Sequence, residues 1–372
     1  MQKVNHEELE CLIRYHYYTK LPLFIYGAYG IGKSQTMKRC SRKIAEERDK
    51  EHVEWNGTSR DRKYDLIDDP EKNFVLIDIR LAQLDPSDIK GIPDLKGRAV
   101  EWKPPLWIYF ASRKNADGII FFDEANLAPP SVQSALYQVV HDREAGEYSI
   151  SDDIAVIAAG NRLEDKSNIY RMSEALKDRY NEVELRPPTI EDWINNFAIP
   201  KKIDARIIAY LRWNPGKLHK PQLMEKDVKS TTPRGWEKLS KSINGIDDVD
   251  MIRIIAGTIV GEGVASEFKS FCELQEEVDV LSFFEDPETA EIPERLDLKH
   301  SLIAGMTEYY KQDRSEDKLR AILIVADRIE PEFGVLMLRM SKKADEPYFK
   351  EHVLGIDKWK KISRKYGKYL LD

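Results

Sequence analysis

Five short apolar runs punctuate the first half of the chain: Leu21 to Tyr26, Phe74 to Ile79, Gly118 to Phe122, Ile154 to Ala159 and Val183 to Leu185. Stretches of helical periodicity separate them. Runs such as IIFF and IAVIAA are continuous rather than alternating, the pattern of strands buried on both faces of a parallel sheet. Parallel neighbours need crossover connections, so the pattern predicts an α/β unit with a five-stranded parallel sheet and helices packed on it. Pro187 and Pro188 stop the fifth strand after Arg186, and the pattern beyond is mainly helical, as in Asp204 to Trp213 and Pro233 to Ile243. A domain boundary is expected there. A helical unit runs to about Leu274, an acidic, loop-rich stretch, EDPETAEIPERLD, covers 285 to 297, and further helix continues to Asp372. The expected domains are therefore 1–188, 189–275 and 276–372, and no internal repeat is visible.

Composition narrows the class. A chain of 372 residues can bury two or three cores, and 42% hydrophobic with 33% charged residues excludes wholesale disorder. The N-terminal MQKVNHEELE lacks an apolar signal core. No window approaches the roughly 18 to 20 uncharged apolar residues of a membrane helix, so a cytoplasmic protein is expected. Cys11, Cys40 and Cys272 are odd in number and far apart, which predicts buried thiols rather than a disulfide framework or a zinc site. A net charge of −7 argues against a surface that grips nucleic acid everywhere, though not against a local basic patch.

The chemistry begins at Gly27 to Ser34, G-AYGI-GKS, which fits G-x-x-x-x-G-K-[ST] between a strand and a helix. Glycines let successive N–H groups converge on phosphate oxygens, and the helix N-terminus adds partial positive charge. Lys33 would reach the β- and γ-phosphates of ATP, and the Ser34 hydroxyl would coordinate Mg2+. Lys33 sits at the positive pole of its helix, where a cation is unfavourable unless an anion offsets it. The candidate nucleotide-binding residues are Gly27, Ala28, Tyr29, Gly30, Ile31, Gly32, Lys33, Ser34 and Gln35.

Phosphoryl transfer also needs a metal anchor and a group that orients water. GIIFFDEAN at 118 to 126 supplies both at the end of a buried strand: Asp123 for Mg2+ and Glu124 for water. The next strand ends AAGN, which places Asn161 at the same edge, where its amide could hold the water or sense the γ-phosphate. TPRGW at 232 to 236 reads as a helix start with Thr232 as N-cap and Pro233 at N1, so Arg234 lies in the first turn, again a cation at the wrong pole. Arg179, just before the fifth strand, could project across a subunit boundary as an arginine finger.

P-loop, DEAN, AAGN, DRY and TPRGW, in this order and spacing, resemble the AAA+ ATPases, and more narrowly the MoxR-like branch. LDPSDIKGIPDL at 84 to 95 is similar to that branch's insert before the catalytic strand. DEANLAPPSVQSALYQVVHDREAG at 123 to 146 is similar to its D-E-x-N-x-A-x-P-x-x-Q-x-A-L-L continuation, with REAGEYSI as the following hairpin. SEALKDRY is similar to its E-A-x-x-D-R-F segment, with Tyr180 in place of Phe, and the match covers roughly residues 20 to 270. The resemblance implies a three-layer AAA+ core, an α-helical lid and a helical C-terminal extension. It implies that Lys33 and Ser34 bind phosphates and Mg2+, and that Asp123 and Glu124 are the Walker B pair. Asn161 would be sensor 1, Arg179 the finger acting in trans and Arg234 sensor 2. Arg143, Arg162 and Arg171 lie near enough to share or take the finger role. The family forms hexameric rings and remodels protein partners, including ones with a von Willebrand A-type domain.

Three features stay apart from this pattern. His141, Asp142 and Glu144 are read as a solvated rim rather than a metal cluster. Trp102, Pro104, Pro105 and Trp107 are read as packing against the insert, with client contact as the alternative. KWKKISRKYGKYLLD at 358 to 372 reads as a solvated amphipathic helix, while its interleaved Trp359, Tyr366 and Tyr369 leave open a nucleic-acid motor or loader. A nucleotide-gated scaffold that barely hydrolyses is the third reading.

Overall fold

A computed structural model describes the whole chain except residues 97–98, 163–169, 171, 221–228, 277, 313 and 371–372. The chain divides into two compact units, Met1–Pro187 and Pro188–Asp372.

In the first unit the strands are β1 (Gln2–Val4), β2 (Leu23–Tyr26), β3 (Glu51–Glu54), β4 (Asn73–Arg80), β5 (Ile92–Asp94), β6 (Glu101–Lys103), β7 (Asp117–Asp123), β8 (Glu144–Ala145), β9 (Tyr148–Ser149), β10 (Ile154–Gly160) and β11 (Asn181–Leu185). Seven of them form one sheet in the order β1-β11-β2-β10-β7-β4-β3, parallel at every pairing. The expected class, an α/β P-loop fold, is the one the chain adopts, with seven strands rather than five. The two unpredicted strands are the edges, QKV and EHVE. An edge strand is covered less than a central one, so neither needed the apolar run by which the others were recognised. In the central strands successive side chains alternate between two cores. Phe24, Val75, Ile77, Ile120, Phe122, Val156 and Ala158 enter one, and Ile25, Phe74, Leu76, Ile119, Phe121, Ile157 and Ala159 the other.

Two helices on the latter face matter for the site: α1 (His6–Thr19) and α2 (Lys33–Glu47). Each buries one stripe, Leu9, Ile13 and Tyr17 from α1 and Met37, Cys40 and Ile44 from α2. Strands β5 and β6 form a separate antiparallel pair, as do β8 and β9. The first pair carries exposed apolar side chains, Ile92 and Trp102, and Leu95 and Val100 of its connection are exposed as well. Trp107 instead is buried, its indole N–H donating to the Asp88 carbonyl (3.3 Å). The expected packing against the insert holds for Trp107, and Trp102, although exposed, lies on β6 opposite Pro93 of the insert.

The second unit is helical. Its hydrophobic core is continuous from Trp193 to Tyr366, so residues on both sides of the expected 275/276 division share one core. Tyr210, Trp236, Phe268 and Phe271 form its aromatic centre. The last helix, Asp357–Leu370, has the amphipathic form expected of it, yet its apolar side is docked: Ile362 and Tyr366 are buried and Trp359 packs against the core. Lys358, Lys361 and Lys365 surround the almost buried carboxylate of Asp327 at 3.6, 2.7 and 3.7 Å. Of the three cysteines, Cys40 and Cys272 are buried as expected. Cys11 is exposed, because it lies on the outer side of α1, away from Leu9 and Ile13. Among the described residues no helix is long and apolar enough to cross a membrane.

Candidate active site

Strand order builds the site. β2, β10 and β7 are consecutive neighbours, so the segments leaving their carboxyl ends share one edge of the sheet. Those segments are the glycine-rich loop after Tyr26, Asn161 after Gly160, and Glu124 after Asp123. The loop turns through Gly30 and Gly32 at φ 73° and 102°, a left-handed backbone that glycine adopts without steric cost. Gly32 is the N-cap of α2 and has no side chain to cap it, which leaves first-turn N–H groups for another acceptor.

Lys33 is almost wholly buried, 7% exposed. Its ammonium donates to the carbonyls of Gly27 (2.6 Å) and Ala28 (3.0 Å) and to Asn161 Oδ1 (3.4 Å). The Ser34 hydroxyl donates to Asp123 Oδ2 at 2.6 Å. Ala28 and Ile31 are buried, while Tyr29 and Gln35 are exposed. Loop, strand end and amide are thus in direct contact, although 89 residues separate Ser34 from Asp123 and 128 separate Lys33 from Asn161.

Glu124 sits in the left-handed region at φ 56°, an uncommon place for a non-glycine residue, and its own N–H donates to Asp123 Oδ1 at 2.9 Å. Its carboxylate is half-buried and makes no hydrogen bond or ion pair among the described residues, leaving its oxygens available to water. Ser34 and Asp123 offer a hydroxyl and a carboxylate oxygen on the same spot. Mg2+ takes hard oxygen ligands and commonly keeps only one or two protein groups beside phosphate and water, so this pair fits it.

Three residues here were not singled out from the sequence. Asn126 is 3% exposed and clamps the next strand end: its Nδ2 donates to the Asn161 carbonyl (2.6 Å) and its Oδ1 accepts from the Asn161 N–H (3.0 Å). Gly160 makes room for that clamp, because a Cβ there would lie 2.4 Å from Asn126 Oδ1. Asp78 is the one acidic break in the apolar run of β4. On the alternation of that strand it shares a face with Phe74 and Leu76, the face of α2. Its Oδ1 is buried without a partner, and burial together with the neighbouring Asp123 raises its pKa. The signal for Asp78 was visible as a charge inside a buried strand. His6, the third, reaches the loop from α1.

The arginines separate by environment. Arg143, at φ 56°, donates through Nη2 to the carbonyls of Ser151 and Ile154 (both 2.7 Å), and burial lowers its pKa. Its guanidinium is committed to the segment that leads from the hairpin into β10. Arg162 pairs with Glu184 at 3.4 Å. Arg179 is one-third exposed and donates to His141 Nδ1 (2.9 Å) and to Tyr137 Oη (3.4 Å). Arg171 lies outside the described residues. Arg234 is an exposed residue in the first turn of helix Pro233–Ser242, where Thr232 Oγ1 caps the Gly235 N–H at 3.0 Å as the sequence predicts; this helix belongs to the second unit. His141 and Asp142 are exposed, and no cluster of three metal-ligating side chains occurs among the described residues.

No protein-family model and no curated protein matches this chain. Among solved structures, a Thermotoga maritima RuvB mutant is 14% identical over 75% of this chain and 73% of its own, with a TM-score of 0.37. A candidate ATPase of Cytophaga hutchinsonii is 14% identical over 91% and 81%, with a TM-score of 0.34. Brucella abortus NtrX in complex with ADP is 13% identical over 98% and 68%, with a TM-score of 0.33. Likenesses at this level carry no argument about the chain's function, which has to be read from its own residues.

Proposed function

We propose that the chain is a Mg2+-dependent ATPase of the AAA+ type, MoxR-like, that acts as a hexameric ring and remodels a protein client, a von Willebrand A-domain protein being one candidate. The observation that carries the nucleotide reading is the meeting of Ser34 with Asp123 at 2.6 Å beside Lys33 and Asn161, at a helix start with no side-chain cap. An anion there satisfies the uncapped N–H groups and gives the Lys33 ammonium an anionic partner in place of loop carbonyls. Ser34 and Asp123 would hold Mg2+, which would supply neutralisation of phosphate charge. Glu124 accepts a hydrogen bond from the attacking water, whose oxygen bonds to the γ-phosphorus as the bond to the β–γ bridging oxygen breaks. Asn161, held by Asn126, reads the γ-phosphate. Arg179 is the finger offered to a neighbouring subunit and Arg234 reports from the lid, for which 189–275 is the proposed span, with 276–372 as the extension. The exposed Ile92, Leu95, Val100 and Trp102 are the proposed client-contacting surface.

The nucleic-acid motor is disfavoured by one observation. Trp359 and Tyr366, two of the three rings that would stack on bases, pack against the core of their own unit, while the side chain of Tyr369 lies outside the described residues. Phosphate release with ATP is the decisive assay: turnover that disappears in Lys33→Ala together with binding, and in Glu124→Gln without loss of binding, supports hydrolysis. ATP-dependent assembly with negligible release would replace it by the scaffold reading. Capture with the Glu124→Gln protein then separates a protein client from nuclease-sensitive DNA.

A further inference from the structure

His6 opens α1 and is held there by a capping box, in which Asn5 Oδ1 accepts from the Glu8 N–H and the Asn5 N–H donates to Glu8 Oε2, both at 2.8 Å. Its Nε2 lies 2.8 Å from the carbonyl oxygen of Ile31, 25 residues away in the phosphate loop. A carbonyl only accepts, so this nitrogen carries the proton and donates. The same ring covers Gly32, where a Cβ would lie 3.3 Å from Nε2.

Peptide geometry turns this contact into a constraint on the anion site. The Ile31 carbonyl and the Gly32 N–H belong to one planar unit, and in a trans peptide they point in opposite directions; the described chain has no cis peptide bond. Holding the oxygen on the α1 side therefore turns the N–H to the other side. On its C-terminal side that unit meets glycine at φ 102°, which resists rotation less than any other residue. We propose that His6 is a positioning residue of the phosphate loop, fixing the Ile31–Gly32 peptide so that the Gly32 N–H is aimed at the anion before nucleotide arrives. This rests on nucleotide binding at the loop. The benefit is preorganisation: a loop already in its bound form loses less freedom on binding.

The test is titration of a fluorescent ADP analogue into the full chain and three variants, with melting temperatures recorded alongside. Removing one hydrogen bond of ordinary strength weakens binding about two- to tenfold, expected for His6→Ala and for His6→Asn, whose amide is too short. His6→Gln places an amide nitrogen near the position of Nε2 and should return affinity to within about twofold of the parent. Should His6→Ala not fold, the Asn and Gln pair still decides, since both keep a polar side chain at the first helical position. Parent affinity in His6→Asn, or His6→Gln binding as weakly as His6→Asn while the two melt alike, overturns the proposal. A parent chain that binds no ADP overturns it together with the nucleotide reading. ADP binding that needs Lys33 but ignores His6 removes this inference alone.

Discussion

The contact between Gly160 and Asn126 joins two strand ends, and a double-mutant cycle isolates its energy. Asn126→Ala deletes two hydrogen bonds, 2.6 and 3.0 Å long, and leaves the half-buried Asn161 N–H and carbonyl to water, a loss of about 1–3 kcal/mol. Gly160→Ala puts a Cβ 2.4 Å from Asn126 Oδ1, 2.7 Å from its Cγ and 2.9 Å from Phe24 Cζ. β10 is paired on both sides and cannot retreat, so the amide must be expelled, at about 2–4 kcal/mol for lost bonds plus overpacking. If eviction of the amide is the mechanism, the second change should cost little once Asn126 is already alanine. The double variant should then be about 2–4 kcal/mol more stable than the sum of the single effects, nearly the whole cost of Gly160→Ala alone. Hydrogen exchange of peptides from β2, β7 and β10 at graded urea reports the first unit by itself, which a whole-chain signal from two units would not. ATP turnover should fall in both single variants, since each loosens Asn161. Costs that simply add would refute the reasoning and place the Gly160 constraint on Phe24; an unchanged Gly160→Ala would refute it outright.

Four further outcomes are expected. Glu124→Gln should retain nucleotide within about twofold while turnover falls by about 10²-fold or more, the lower range for a positioned proton acceptor; single-turnover phosphate release measures it. Arg143→Ala should destabilise the first unit by about 1–3 kcal/mol through the Ser151 and Ile154 carbonyls it leaves, visible in the same hydrogen exchange of first-unit peptides at graded urea. Arg179→Ala should instead leave stability within about 0.5 kcal/mol and cut turnover of the assembled protein by about 10³-fold, with mixed assemblies of Arg179→Ala and Lys33→Ala protomers regaining activity if the finger acts between subunits. Burial and nearby Arg212 push the pKa of His300, 2% exposed, down to about 4, so between about pH 6.5 and 4 the unfolded chain binds the proton that the folded one refuses. The second unit should then lose about 3 kcal/mol as pH falls through that window, and His300→Leu should flatten that limb of a stability-against-pH curve.

What the sequence made legible was whatever its own neighbours determine. The buried runs IIFF and IAVIAA declare central strands because burial on both faces leaves no room for polar residues, and the edge strands QKV and EHVE are silent for the opposite reason. The glycine-rich loop was readable because left-handed turns and an uncapped helix start demand particular residues in a row. Asn126 was visible as the end of DEAN but its role was not, since its partner is the backbone of Asn161 and the two meet only once β7 and β10 become neighbours. Asp78 lies between these cases, its anomaly visible in VLIDIR and its meaning fixed only by Asp123 on the adjacent strand. The basic C-terminal helix illustrates the same limit from the other side. Its lysines and rings left a nucleic-acid partner open beside the solvated-helix reading, but Lys358, Lys361 and Lys365 are set around Asp327, Tyr366 is buried and Trp359 packs against the core. Deleting 358–372 would therefore uncover Ile362 and Tyr366 sites and leave Asp327 without its cations, so a loss of DNA-stimulated turnover on truncation would report collapse of the second unit. Reversing the exposed Lys360 and Arg364 keeps that docking intact, and a DNA response that survives Lys360→Glu with Arg364→Glu cannot depend on the outer face of this helix.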